Sequence, residues 1–128
     1  MAGVVLDTCV VIALFNRDDK HHKASVAALL SHGGGFRIST LTVAEALVRA
    51  IADSDKQAER VLADLSENFG PFYPLDTQVA LEAALVRSHS RLKLPDAIIS
   101  ATASVHGVPL WTFDGALAKA HKGARLIA

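Results

Sequence analysis

At 128 residues, 51% hydrophobic and 20% charged, the chain is long enough for one real core and too short for two ordinary domains, so residues 1–128 read as a single domain. Thirteen Lys and Arg balance thirteen Asp and Glu, which excludes non-specific nucleic-acid binding driven by bulk charge and leaves only local patches for such contact. The lone cysteine, Cys9, excludes an internal disulfide; no basic-then-apolar leader precedes Gly3 and no apolar run approaches a membrane span, so a cytoplasmic protein without membrane contact is expected.

Gly3 to Leu6 reads as a short buried strand that breaks at Asp7 and passes into an apolar helix, Val10 to Phe15, ended by the polar turn Asn16-Arg17-Asp18-Asp19. A second helix, Lys20 to Ser31, has Ala24, Ala27, Ala28 and Leu30 to bury and stops at Gly33-Gly34-Gly35. Phe36 to Ser39 alternates apolar and polar residues as a strand does. Helices follow over Leu41 to Ala52, with Val43, Leu47, Val48 and Ile51 at helical spacing, and over Asp55 to Asn68, with Ala58, Val61, Leu62 and Leu65 on one face. Phe72 to Leu75 reads as a third strand, at an edge because Pro74 has no N–H for a ladder. Asp76 or Thr77 caps a long helix to about Leu92, and Pro95 opens an apolar helix, Asp96 to Val105, closed by His106-Gly107. Val108 to Phe113 is a fourth strand, Asp114-Gly115 turns into a short helix from Ala116 to His121, and Ala124 to Ile127 reads as a last strand. Strands alternating with helices specify an α/β domain with a mainly parallel sheet covered on both faces. The apolar surplus suggests that a partner covers part of the surface.

In an open parallel sheet, ligands bind beyond the carboxyl ends of the strands. Asp7 directly follows the first strand and Asp114 the fourth; Glu45 lies one turn into the helix after the second strand, and Asp96 in the first turn of the helix before the fourth. Each acid has an ordinary local use. Asp7 suits an N-cap, Thr42-Val43-Ala44-Glu45 has the form of a capping box, Pro95-Asp96 suits the positive end of a helix, and Asp114-Gly115 is turn chemistry. Convergence of all four is a different matter. Two carboxylates about 4 Å apart repel by roughly 4 kcal/mol at an effective dielectric near 20, and a fold stable by roughly 5–15 kcal/mol does not gather four without counter-charge. An all-oxygen set without His or Cys suits a hard cation, Mg²⁺ or Mn²⁺, that keeps several waters. Such an ion engages phosphate oxygens and activates water.

Leu6-Asp7-Thr8, Thr42-Val43-Ala44-Glu45, Leu94-Pro95-Asp96-Ala97 and Thr112-Phe113-Asp114, in this order, resemble the motifs of PIN-domain nucleases, and most of all the VapC-type toxins of bacterial toxin–antitoxin pairs. The resemblance covers essentially the whole chain. It implies a PIN-like three-layer α/β/α fold with a five-stranded parallel sheet, and a Mg²⁺- or Mn²⁺-dependent endoribonuclease acting as a toxin. On that resemblance Asp7 and Asp96 are the principal metal ligands, Glu45 and Asp114 complete the pocket, often through water, and Thr8 and Thr112 orient the site. It also implies a homodimer and a small cognate antitoxin that wraps the toxin and plugs the pocket. Cys9 departs from the serine more usual there, and is read as a buried, unreactive thiol.

Arg87, Arg91 and Lys93, near the approach to Asp96, are candidate RNA contacts; Arg49, one turn after Glu45, is either its ion-pair partner or another RNA contact. Lys20-His21-His22-Lys23 reads as a solvated helix start and Trp111 as core. A phospho-acceptor receiver domain is disfavoured because Asp7 stands alone and no lysine follows the last strand; a haloacid-dehalogenase-like phosphatase is disfavoured because Cys9 stands where its second acid belongs. A housekeeping RNA-processing nuclease and a catalytically silent protein- or RNA-binding module remain as alternatives.

Overall fold

In the computed structural model, which describes residues 3–127, the chain runs β1 (Val4–Leu6), α1 (Thr8–Phe15), α2 (His22–Leu30), β2 (Phe36–Arg37), α3 (Thr40–Asp53), α4 (Asp55–Phe69), α5 (Thr77–His89), α6 (Leu94–His106), β3 (Leu110–Thr112), α7 (Gly115–Ala120) and β4 (Arg125–Leu126). The strands form one parallel sheet in the order β2-β1-β3-β4, with Val4 opposite Phe36, Val5 opposite Leu110 and Trp111 opposite Arg125. The two central strands, β1 and β3, are buried throughout, as expected of a parallel sheet covered on both faces.

Alternation along β1 and β3 divides the core in two. Val4, Leu6 and Trp111 join Val10, Val11, Ile38, Val43, Leu65 and Phe69 in one cluster, under α1, α3 and α4. Val5 and Leu110 point the other way, into a cluster with Leu92, Ala97, Ile99 and Leu117 under α6 and α7. Helix α5 lies outside α6, joined to it by Val79, Ala83, Ile98 and Ala101. The result is the three-layer α/β/α arrangement. Among the described residues no helix is long and apolar enough to cross a membrane.

Among the described residues the sheet has four strands where five were expected. The segment expected as the third strand contributes one isolated parallel bridge, Tyr73 to Ser39, made by the Tyr73 N–H to the Ile38 carbonyl and the Thr40 N–H to the Tyr73 carbonyl, each 3.0 Å. Pro71 and Pro74 flank Tyr73, and neither has an N–H with which to extend a ladder. Five apolar side chains expected to face the core do not: Leu30 is 82% exposed, Val48 71%, Ile51 54% and Leu62 40%, and Ala27 is exposed as well. In α2 it is Ser25 and Ala28 that are buried, and in α3 it is Thr42, Val43, Ala46 and Ala50. Small residues sit inward where α2 packs on α1 and α3 packs on α1 and α4, and the bulkier stripe of α3 faces outward.

Candidate active site

Asp7 stands where β1 hands over to α1, at the carboxyl edge of the sheet, and is only 5% exposed. Its Oδ1 accepts the Thr8 N–H at 2.8 Å, so the capping role is real. Its Oδ2 has a separate set of partners drawn from across the sheet. The Thr112 hydroxyl, at the end of β3, donates to Oδ2 at 2.7 Å, and the Cys9 thiol donates to it at 3.2 Å. Thr112 Oγ1 in turn accepts the Asp114 N–H at 2.9 Å. A chain of donors thus leads from the Asp114 backbone through Thr112 to Asp7. The Asp114 carboxylate begins α7, accepting the N–H groups of Ala116 and Leu117 through Oδ1 at 2.8 and 3.3 Å.

A second relay brings in α3. Thr8 Oγ1 donates to Glu45 Oε1 at 2.7 Å and lies 2.9 Å from Thr42 Oγ1. Since the single Thr8 proton goes to the carboxylate, Thr42 donates to Thr8. The capping box expected at Thr42–Glu45 is therefore not formed. Helix α3 starts earlier, at Thr40, with Ser39 as its cap accepting the Leu41 N–H at 3.0 Å. Thr42 and Glu45, three residues apart on one helical face, both turn to Thr8 instead. Thr42 is the residue the sequence reading missed. Its buried hydroxyl, 0% exposed, had a signal in that shared face, but the cap explanation absorbed it.

Asp96 enters from the first turn of α6. Its pKa is raised from 3.8 to about 6, first by partial burial, then by the negative charges of Asp7, Asp114 and Glu45, with Lys93 offsetting part of the rise. That electrostatic signature sets the four acids in one neighbourhood. Among the described residues no three His, Cys, Asp or Glu side chains are close enough together to enclose a metal ion. The pocket is thus not a closed cage.

The thiol of Cys9 is pushed up to about 12, by burial first and then by the charge of Asp7. It is a protonated donor at physiological pH, and the expectation of an unreactive thiol gains a positive role: Cys9 helps hold Asp7 Oδ2. Native protein treated with iodoacetamide at pH 8 is expected to remain unalkylated over times that modify free cysteine fully, because alkylation requires the thiolate. Mass spectrometry reads this directly; rapid stoichiometric modification of the folded protein contradicts it.

The basic candidates lie farther out. Arg87 donates through Nη1 to the Leu92 carbonyl at 3.0 Å and so helps shape the α5–α6 turn. Arg91 and Lys93 are exposed, and Lys93 acts on Asp96 by charge. Arg49 is exposed and lines a groove of about 540 Å³ between α1, α3 and α4, with Ile12, Phe15, Ala46, Ala50 and Val61 among its walls. Trp111 is core, as expected, at 5% exposure.

The family model described as PIN domain matches residues 4–123. The chain belongs to the PIN-domain family. Among solved structures, this PIN domain is similar to a chain of a toxin–antitoxin complex from Klebsiella pneumoniae, at 28% identity over 98% of each chain and a TM-score of 0.83. It is also similar to a chain of FitAcB from Neisseria gonorrhoeae, at 25% identity over 96% of each chain and a TM-score of 0.80. It shares its fold with VapC20 of Mycobacterium tuberculosis, a sarcin-ricin loop cleaving toxin, at 20% identity over 98% of this chain and 100% of that one, with a TM-score of 0.79. No curated protein matches the chain.

Proposed function

We propose that this PIN domain is a divalent-metal-dependent endoribonuclease and the toxin of a toxin–antitoxin pair, active in the cytoplasm. The observation that carries the reading is the hydrogen-bonded set at the carboxyl edge of the sheet, in which Thr112 from β3 holds Asp7 and Thr8 holds Glu45 of α3, with the pKa of Asp96 raised by burial first and then by the charges of Asp7, Asp114 and Glu45. Four carboxylates near the carboxyl edge of a parallel sheet suit a cation by charge and by donor type. Asp7 and Asp96 would hold the ion, Mg²⁺ or Mn²⁺, with Glu45 and Asp114 completing the acidic surroundings. A divalent cation there supplies positive charge to the scissile phosphate and lowers the pKa of water.

The chain's own residues do the positioning. Thr112 and Cys9 fix Asp7 Oδ2, the Thr8 N–H fixes Oδ1, and the Thr42–Thr8 relay holds Glu45. Without a counter-ion the four acids repel a phosphodiester, so the pocket admits substrate only as it admits cation. Arg91 and Lys93, with Arg87, are the cations proposed to meet the RNA backbone on the Asp96 side.

Similarity to chains from toxin–antitoxin complexes supports a protein partner. The groove between α1, α3 and α4 is where an amphipathic helix of a cognate antitoxin docks in this reading, covering Ile12, Phe15 and Val61, while Arg49 meets an acidic side chain on its rim. A second exposed apolar stripe, Leu81 and Leu85 of α5 with Leu94 at the start of α6, is assigned to a homodimer contact. Expression of the chain alone is expected to arrest growth, co-expression with a cognate antitoxin to restore growth, and the purified chain to cut RNA in Mg²⁺ or Mn²⁺ but not in EDTA. Undiminished cutting in EDTA, or no cutting with either ion, overturns the proposal.

A further inference from the structure

Two of the four acids stand at the starts of neighbouring helices: Asp96 in the first turn of α6, and Asp114 as the cap of α7. Helix α6 packs against α5 and β1, and α7 against β3 and β4, with Leu117 of α7 buried in the same apolar cluster as Ala97 and Ile99 of α6. Among the described residues one hydrogen bond crosses directly between the two helices. The Ser100 hydroxyl of α6 meets Nδ1 of His121, the residue that closes α7, at 2.6 Å. Ser100 is 4% exposed and His121 is half-buried. Burial pushes the His121 imidazole below its ordinary pKa, so at neutral pH the ring carries a single proton. The Ser100 hydroxyl has no other partner among the described residues, so it donates to Nδ1 and the ring proton sits on Nε2. A cavity of about 340 Å³ opens beside the pair, with Ser104 of α6, Ala120 and Lys122 at the end of α7, and Val86 and His89 of α5 in its walls. On that side a hydrogen bond, and not close packing, joins α6 to α7.

The placement gives this bond leverage on the acids. Ser100 follows Asp96 by four residues, one turn along the same face of α6. His121 ends the helix that Asp114 begins, and the Asp114 end is tied to Asp7 through Thr112, whose Oγ1 accepts the Asp114 N–H and donates to Asp7 Oδ2. Helix α7 is thus held to the site at one end and to α6, a turn past Asp96, at the other. We propose that Ser100 and His121 are positioning residues: their hydrogen bond fixes α7 against α6 and so sets the spacing of the Asp96 and Asp114 carboxylates, on which affinity for a divalent cation depends. This assignment rests on the cation reading of the site and adds to it two residues outside the acidic set. Small divalent ions tolerate little spread in ligand distance, and groups that orient metal ligands typically carry about 10–100-fold in affinity.

The test titrates Mn²⁺ into the full chain without RNA and reads the loss of the free-ion signal by electron paramagnetic resonance. Titrations run at neutral pH and well below Tm, so that a modest loss of stability does not itself move the Kd. Ser100→Ala and His121→Leu are each expected to raise the Kd about tenfold, the low end for a group that acts on a ligand indirectly; either one carries the test if the other does not fold. The double variant is expected to be no weaker than the singles, since each change alone removes the bond. His121→Asn, whose amide oxygen takes the place of Nδ1 and accepts from Ser100, is expected to bring the Kd back close to the parental value. Melts in EDTA report the cost to the fold separately, about 4 °C for one hydrogen bond. A lowered Tm with the Kd unmoved makes the bond a structural tie only and overturns the proposal. So do additive losses in the double variant, or a His121→Asn that binds no better than His121→Leu. A parental protein that binds no Mn²⁺ sinks the cation reading itself, and the positioning role with it.

Discussion

Asp7→Asn is expected to end RNA cleavage and leave the protein folded. Asparagine caps a helix about as well as aspartate, and its carbonyl oxygen still accepts the Thr8 N–H that Oδ1 accepts in the parent. The Thr112 hydroxyl, which donates to Oδ2, is free to rotate and accept from the new amide instead. The fold therefore loses on the order of 1 kcal/mol, the net worth of a rearranged hydrogen bond. In the proposed reading the site loses the buried negative charge that would hold the cation. Removing a partner that merely orients a metal ligand typically costs about 10–100-fold, and removing the ligand charge itself is expected to cost more than that. A gel-based cleavage assay beside a thermal melt separates the two effects. Cleavage by the folded variant at the parental rate removes Asp7 from the site.

The second large effect is on stability, and it depends on both cation and pH. Folded Asp96 holds its proton up to about pH 6, whereas in the unfolded chain the carboxyl releases it near 3.8. Between those values the folded state binds more protons than the unfolded one, so stability falls as pH rises. The stability conferred by protonated Asp96 is complete below about pH 4 and lost above about pH 6. Because Asp96 is partly exposed, solvent screening reduces the contribution of this one group to about 1 kcal/mol. A cation bound as proposed is expected to reverse the trend, since it would replace the proton and offset the charges of Asp7, Asp114 and Glu45. At pH 7.5, free Mn²⁺ at about a hundred times its Kd is expected to stabilise the fold by about 2.7 kcal/mol, a rise in Tm on the order of 10 °C. At pH 5, where the proton competes, the same Mn²⁺ concentration is expected to raise Tm far less. Melting curves at the two pH values with Mn²⁺ or EDTA decide the matter. An equal shift at both, or none at either, breaks the link between Asp96 and the cation.

Both results depend on side chains whose local uses were legible while their common use was not. Asp7 and Asp114 are N-caps, as their positions before helices implied. For Asp7 that accounts for one carboxylate oxygen; the other is occupied by Thr112 from a strand more than a hundred residues away in sequence. Glu45 shows the reverse. Its capping-box spacing offered a sufficient local explanation, and the fold discarded it when α3 began at Thr40 and both Thr42 and Glu45 turned to Thr8. Ser100 and His121 carried no signal in sequence because they meet only where α6 and α7 come together on one face of the sheet.

What the sequence determined by itself is local or periodic. Period-two and continuous apolar runs marked β1, β2, β3 and β4; helical spacing marked the helices between them; Pro and Gly marked the breaks; and the order of the four acids carried the family likeness. Each of these is set by neighbours within a turn or two of chain, where backbone sterics and the first hydrogen bonds already choose. The tertiary structure alone decided which of two faces each helix buries, as Val48 and Ile51 turning outward show, and where each spare hydroxyl points. A helical pattern says which residues share a side but not which side a neighbour covers, and a side-chain oxygen with two acceptable partners goes to the one that burial leaves within reach.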